Sequence, residues 1–337
     1  MAGYRVAIVG ATGLVGQEFI RVLEQRNFPV AELRLFASDR SAGRRLKFRG
    51  EELPVLQTSE EGFKGVELAL FSAGAEVSRE WAPVAVRAGA VVVDNSAAWR
   101  MEPDVPLVVP EVNPEDVTWH RGIIANPNCS TIQMVVAVNP IHRVNRIRRV
   151  VVATYQSVSG SGSAAIDELR AQSEAVLRGE AAEPSVYPHQ IAFNLIPQID
   201  RFYEDGYTKE ELKMLQETRK IMHEPDLPVS ATCVRVPVFI GHSEAVHLEL
   251  TEPMSPAEAR EILGRAPGVV VVDDPAQNLY PMPRDAAGRD EVFVGRIRED
   301  KALEPGLAMW VVADNVRKGA ALNAVQIAEE LIRRGLL

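Results

Sequence analysis

The apolar run Val6-Ala7-Ile8-Val9 breaks directly into Gly10-Ala11-Thr12-Gly13-Leu14-Val15-Gly16, after which a helical pattern continues to Gln25. Glycines at that spacing suit a strand that turns tightly, lets a ligand approach the backbone, and packs a helix closely against itself. The helix start offers unpaired N–H groups and the positive end of the peptide dipole, so the ligand this loop predicts is a dinucleotide pyrophosphate. The G-x-x-G-x-x-G spacing alone is a weak signal, because a glycine-rich turn that binds nothing would look the same. Its setting gives it weight. Short apolar runs at 33–37, 66–71 and 91–94 alternate with helical patterns at 14–25 and 77–88. Such alternation predicts βαβ units and a parallel sheet with right-handed crossovers.

A chain of 337 residues exceeds what one core usually covers, so two domains are expected. The predicted class is α/β: a Rossmann-type doubly wound parallel sheet over residues 1–128, then an α+β domain over 129–315. Longer β-branched runs at 149–154, 232–239 and 245–250, with helical patterns at 164–177 and 209–223, define the second. A proline-rich stretch, 103–114, reads as extended and precedes the boundary. Ala321, Val325, Ala328 and Leu331 or Ile332 recur at helical spacing, so a C-terminal helix within 316–337 is expected to return to the first domain.

Charge and cysteine content narrow the function classes. A net charge of −9 argues against a nonspecific nucleic-acid binder, since a phosphate backbone attracts basic faces. No apolar stretch reaches membrane-spanning length. The N-terminus runs into a strand-like segment and does not resemble a secretory leader. The two cysteines, in unrelated contexts, offer neither a disulfide framework nor a metal site, which fits a reducing cytoplasm.

Those cysteines differ in setting. Cys233 lies in a β-branched run with no turn beside it and reads as a small buried hydrophobe. Cys129 follows Asn126-Pro127-Asn128 and opens a helical pattern, where the dipole and free N–H groups favour a thiolate. It is therefore the candidate nucleophile. Beyond it, Gln156 and the small-residue loop Ser157-Val158-Ser159-Gly160 follow a strand, and Gln156 could hydrogen-bond a substrate carbonyl or carboxylate. Arg235 and His242 lie in a run that reads as a strand ending in a glycine turn, where a histidine can serve as acid–base partner to a thiol. On the cofactor side, the second strand is followed by Ser38, Asp39, Arg40 and Ser41. A hydroxyl and a guanidinium suit a 2′-phosphate, hence NADP, while Asp39 leaves NAD open. The loop Ser72-Ala73-Gly74 is placed to touch the same cofactor.

With these pieces in order, the chain resembles aspartate-β-semialdehyde dehydrogenases. The resemblance runs from Val6 to Ala328 and rests on Gly10–Gly16, Asp94-Asn95-Ser96 through Arg100, Val109–Asn113, Asn126–Gln133, Thr154–Gly162, Arg235–Glu244 and Ala313-Asp314-Asn315 through Gln326. It implies NADPH-dependent reductive dephosphorylation of L-4-aspartyl phosphate, feeding lysine, threonine and methionine synthesis. Cys129 would form a thioester, His242 would act as general base and acid, and Gln156 would position the intermediate. Arg235 would hold the substrate carboxylate and Glu210 its ammonium, with Arg100, Asn128 and Lys213 around phosphate. On a helix Glu210 and Lys213 share a face, although either Glu210 or Glu211 could face the site. Ser159, Gly160 and Asn315 would also touch NADP. No metal is implied, and the family forms homodimers through its second domain.

Alternatives use the same residues. An N-acetyl-γ-glutamyl-phosphate reductase or a phosphorylating glyceraldehyde-phosphate dehydrogenase also joins such a domain to a Cys/His pair; an acid for a free ammonium favours aspartyl phosphate. A nonenzymatic NADP sensor would need no activated thiol, and a thiol hydrolase no glycine loop.

Overall fold

The computed structural model describes residues 3–337. They form two compact units: one comprises the residues up to Asn128 together with Ala320–Leu337, the other Cys129–Gly319. In the first unit, β1 (Tyr4–Val9) leads to α1 (Leu14–Gln25), β2 (Val30–Ala37), the pair β3 (Arg45–Phe48) and β4 (Glu51–Gln57), β5 (Leu68–Phe71), α2 (Ala75–Arg87), β6 (Val91–Asp94) and β7 (Ile123–Ala125). The seven strands lie in the order β3-β4-β2-β1-β5-β6-β7, parallel except for the β3–β4 pairing at the edge. β1 and β5 carry apolar residues on both faces, because helices cover both sides of the sheet. The reversal of strand order beside β1 puts the glycine loop at the switch point, where α/β sheets bind ligands.

The second unit opens with α3 (Cys129–Val144), which is buried on almost all sides and packs on β8, β10, β12 and β13 and on two neighbouring helices. There follow β8 (Ile147–Gln156), α4 (Ser163–Leu177), α5 (Lys209–Ile221), β9 (Val229–Arg235), β10 (His242–Leu250), α6 (Pro256–Gly264), β11 (Val269–Val271), α7 (Pro283–Ala286), β12 (Val292–Glu299) and β13 (Gly306–Ala313). Its mixed six-stranded sheet runs β11-β12-β13-β10-β8-β9. Register decides where the chemistry falls. Gln156 ends β8 beside Arg235, which ends β9, while His242 opens β10 opposite Ala313 at the end of β13. Four strand termini thus converge at one end of the sheet.

The chain then returns to the first unit as α8 (Leu322–Arg334), whose Leu322, Val325, Ala328 and Leu331 join the core formed by β1 and α1. Residues 316–319, grouped above with the returning helix, pack instead with the second unit. Asp314 explains this: its carboxylate accepts the Val316 and Arg317 N–H groups, and its carbonyl accepts that of Gly319. The helical pattern begins as a π-turn, Arg317–Ala321. Two further readings change. The segment expected to be extended over 103–114 is mostly turns, with one bridge from Leu107 to Ala125. The strand expected over 232–239 stops at Arg235, because Pro237 has no N–H to continue a ladder. His242 consequently opens the next strand rather than closing this one.

Candidate active site

The first unit holds a backbone cradle. Gly10 sits at φ +89°, and a Cβ there would lie 2.4 Å from the Ser72 carbonyl oxygen. A Cβ on Gly16 would come within 2.1 Å of the Gly10 oxygen, so only glycine lets α1 pack onto the turn. Gly13 precedes α1 without a side-chain cap, and no acid occupies the first turn, which leaves N–H groups available to an anion. A cavity of about 590 Å³ opens beside this helix start, lined by Gly10, Thr12, Gly13, Ser38, Arg40, Ser72 and Ala73 among the expected residues. Leu14, Val15, Gly16, Ser41 and Gly74 do not line it, although Gly74 (φ +88°) shapes the turn that carries Ser72 and Ala73. Gln57 and Thr58 at the end of β4, and Glu80 and Trp81 on α2, line it too. Sequence reasoning missed these four, since a strand end and one helix face carry no local signature. Asp39 accepts the Arg40 N–H at 2.8 Å and so shapes its own turn.

Arg100 and Asn128, both buried, also belong to the first unit. Arg100 donates to the Asn95 carbonyl at 2.9 Å. Asn126 donates to Asn95 Oδ1 at 2.6 Å and to the Ala320 carbonyl at 3.2 Å, and accepts from Asn323 at 2.7 Å. This buried amide relay fixes the turn leading to the cysteine.

In the second unit, Cys129 is the first residue of α3 and is partly exposed. Its Sγ lies 3.2 Å from His242 Nε2. A Cβ on Gly319 would come within 2.8 Å of Cys129 Cβ and 3.2 Å of its Cα, so Gly319 packs closely against the start of α3. His242 is fully buried; burial and then the Arg235 guanidinium push its pKa down to about 3, against a smaller opposing pull from Glu210. Its Nδ1 meets the Ser157 N–H at 3.1 Å and the Ser157 hydroxyl at 3.1 Å. Asn315 Oδ1 accepts from Ser157 Oγ at 3.0 Å, Ser159 Oγ at 3.1 Å and the Gly241 N–H at 2.9 Å. A Cβ on Gly160 would meet Arg235 Nη1 at 2.8 Å and the His242 ring at 3.3 Å, so this bare Cα keeps the loop against both side chains.

The polar partners continue outward from there. Gln156 donates to Glu210 Oε1 at 3.2 Å, and Lys213 Nζ reaches Glu210 Oε2 at 3.1 Å. Arg235 donates to the Ser157 carbonyl at 2.7 Å. Glu211 faces away: it accepts the Thr208 N–H and the Cys233 N–H, completing a capping box on α5. Thr208 with Glu211 three residues on was the signal for that role. Cys233 is buried, and burial pushes its thiol up, out of the reactive range. The structure thus gathers Cys129, His242, Gln156, Glu210, Lys213, Arg235, Ser159, Gly160 and Asn315 into one cluster. Glu244, two residues beyond His242, is a fully buried acid that sequence reasoning did not single out.

A nucleophile beside a neutral imidazole, with a cation and an acid one step further out, is equipped for acyl transfer to sulfur. Residues 5–120 match the family described as semialdehyde dehydrogenase, NAD binding domain, and residues 138–318 match semialdehyde dehydrogenase, dimerisation domain. An aspartate-semialdehyde dehydrogenase of Aquifex aeolicus is 63% identical over 99% of this chain and 100% of its own. The chain belongs to the aspartate-semialdehyde dehydrogenase family. A Bacillus subtilis aspartate-semialdehyde dehydrogenase is 53% identical over 99% of both chains. Among solved structures, aspartate semialdehyde dehydrogenase II of Vibrio cholerae, complexed with ASA, superposes with a TM-score of 0.96 at 51% identity over 99% of both chains. The Candida albicans enzyme, solved with NADP, gives 0.76 at 27% identity over 99% of this chain and 100% of its own. The first matched domain spans the glycine cradle, and the second spans Gln156, Glu210, Arg235 and His242.

Proposed function

We propose that the chain carries out the family reaction, reduction of L-4-aspartyl phosphate to aspartate 4-semialdehyde and phosphate and its reverse, through a thioester on Cys129. The observation that carries this reading is the 3.2 Å approach of Cys129 Sγ to His242 Nε2 at the start of α3. The helix terminus favours the thiolate, which attacks the acyl carbon and expels phosphate. Arg235 supplies the fork for the substrate carboxylate, and Glu210 pairs with the ammonium. Lys213, Arg100 and Asn128 serve the phosphate, while Gln156 orients the acyl group. His242 acts as general base and acid beside the sulfur.

The first unit serves a nicotinamide dinucleotide. Its bare glycine positions and uncapped helix start fit a pyrophosphate, with Gly10, Thr12, Gly13, Leu14, Val15 and Gly16 around it and Ser72, Ala73 and Gly74 along the rim. When bound, the dinucleotide supplies the hydride that reduces the thioester carbon. NADP is the form proposed, because Ser38 and Arg40, which line the cavity, offer a hydroxyl and a guanidinium to a 2′-phosphate, with Ser41 beside them; Asp39 lines it too and accepts the Arg40 N–H. Ser159, Gly160 and Asn315 are assigned to the dinucleotide as well.

A homodimer formed through the second unit is proposed as well. The match to a dimerisation domain supports it, as does the open sheet face, where Val151 and Tyr155 are exposed and Tyr155 lies 5.3 Å from the Trp310 ring. No helix among the described residues is long and apolar enough to cross a membrane. Two unpaired cysteines suit a cytoplasmic enzyme.

The experiment is phosphate-dependent reduction of NADP by the purified protein. Aspartate semialdehyde should support it and N-acetylglutamate semialdehyde should not. Preference for the acetylated substrate would overturn the assignment of Glu210.

A further inference from the structure

We propose that Tyr187 is a positioning residue for substrate binding: carried on a strap, residues 185–196, its ring fixes the plane of the Arg235 guanidinium so that the fork meets the substrate carboxylate already oriented. This role rests on the reading of Arg235 as the carboxylate fork; the geometry behind it stands apart from that reading.

Two buried side chains of α4 hold the strap. Glu168 and Gln172 lie four residues apart and share a face of that helix. Glu168 accepts the Ser185 hydroxyl at 2.9 Å and the Val186 N–H, while Gln172 Oε1 accepts the Ile191 and Ala192 N–H groups at 2.9 and 3.1 Å. Gln172 Nε2 donates to Glu168 Oε1 at 2.9 Å, so the two anchors also fix each other. A buried acid and a buried amide are costly to leave unpaired, and here they are satisfied by groups on either side of Tyr187. Pro188 restricts the Tyr187 backbone further. Ile191, Ala192 and Ile196 of the strap join Val158 and Leu169 in one apolar cluster, and Tyr187 packs against it.

At its far end the strap takes hold of Arg235 itself. Ile196 and Arg235 exchange both backbone hydrogen bonds, at 3.0 and 2.8 Å, in an isolated antiparallel bridge. The backbone of Arg235 is thus pinned, and its Nη1 is committed to the Ser157 carbonyl at 2.7 Å. One hydrogen bond fixes a point of a guanidinium and leaves its plane free to turn. A bidentate grip on a carboxylate needs the plane as well. Tyr187 supplies that constraint: the guanidinium carbon lies over its ring, 5.8 Å from the centroid, within reach of the attraction between a cation and an aromatic face. The ring is held in turn by its phenol hydroxyl, which donates to the Val158 carbonyl at 3.4 Å. Burial pushes that phenol up, against a smaller downward pull from Arg235, so the ring stays neutral beside the cation. A fork ordered before the substrate arrives gives up less freedom on binding it.

Steady-state kinetics of phosphate-dependent NADP reduction by the full-length protein test this role. Tyr187→Leu, which keeps apolar bulk and removes the aromatic face, should raise the KM for aspartate semialdehyde about fivefold and leave kcat within about twofold. Tyr187→Phe keeps the face and should bring KM back to within about twofold of the unaltered protein. Space-filling alone would treat the two variants alike, so equal KM values in them overturn the proposal, as does a fall in kcat with KM unmoved. Because Tyr187 acts through Arg235, adding Tyr187→Leu to Arg235→Lys should cost less than about twofold more in KM; additive losses overturn it. The reading of Arg235 is separable. Should Arg235→Lys leave KM unchanged, the carboxylate fork falls, and whether Tyr187 holds the guanidinium is decided by the Arg235 Nε–H proton resonance, which the ring shifts and Tyr187→Leu should move. A resonance that stays in place ends the positioning role in either case.

Discussion

The two ligand-handling regions are built by different means. In the first unit the backbone is the instrument: bare Cα atoms at Gly10 and Gly16, a positive φ, and a helix start with no cap. In the second, side chains from six separate segments, Cys129, Gln156, Glu210, Arg235, His242 and Asn315, meet where four strand ends converge. A backbone cradle is written in a contiguous stretch and fails by steric exclusion. A side-chain centre is assembled by sheet register and fails by loss of one chemical group.

Substitutions should separate the two regions cleanly. Cys129→Ala should abolish turnover while NADP affinity, measured by fluorescence titration, stays nearly unchanged; residual activity would break the contrast at its strongest point. His242→Ala should lower kcat by roughly 10² or more, since the thiol loses its acid–base partner. Gly16→Ala, whose new Cβ would strike the Gly10 carbonyl, should weaken NADP binding at least about tenfold through backbone displacement. Alkylation of Cys129 by iodoacetamide should be untouched by that change; a slowed alkylation rate would mean that the regions are not separable.

Arg235→Lys should act mainly on substrate KM, by about tenfold, because a point charge cannot reproduce a bidentate fork. The smallest effect concerns stability. Burial raises the Glu244 carboxyl well above 4.5, so the folded state keeps a proton that the unfolded chain releases. Its contribution is complete below the ordinary carboxylate range and is lost as pH rises toward the folded value. Glu244→Gln should therefore flatten the alkaline fall of the unfolding midpoint and stabilise the protein near pH 8 by on the order of 1 kcal/mol. His242 acts from the other side: with a folded value of about 3 against 6.5, its contribution is complete above 6.5 and fades as pH falls toward 3. A midpoint that rises steadily on acidification would contradict this assignment.

The same contrast explains what the sequence made legible. The strand-loop-helix at Val6–Gln25 and the cysteine opening α3 could be read directly, since each is a local pattern with a local cause. The roles proposed for Glu210 and Arg235 were reachable only through the family resemblance, because register between β8 and β9 leaves no trace in a single stretch of residues. The Ser157 amide that meets His242 belongs to the backbone and is invisible to residue type. Pro237 could have marked the end of β9, and Thr208 with Glu211 the capping box; both were present as signals. Trp81 and Thr58 enter the cofactor cavity from elements defined by burial alone.

The most direct test of the central claim is a single-turnover experiment without phosphate, mixing enzyme, NADP and aspartate semialdehyde, followed by peptide mass spectrometry. One equivalent of NADPH should form at once per active chain, with an aspartyl group in thioester linkage on Cys129. A burst that persists in Cys129→Ser without an adduct, or an adduct on any other residue, would contradict the account.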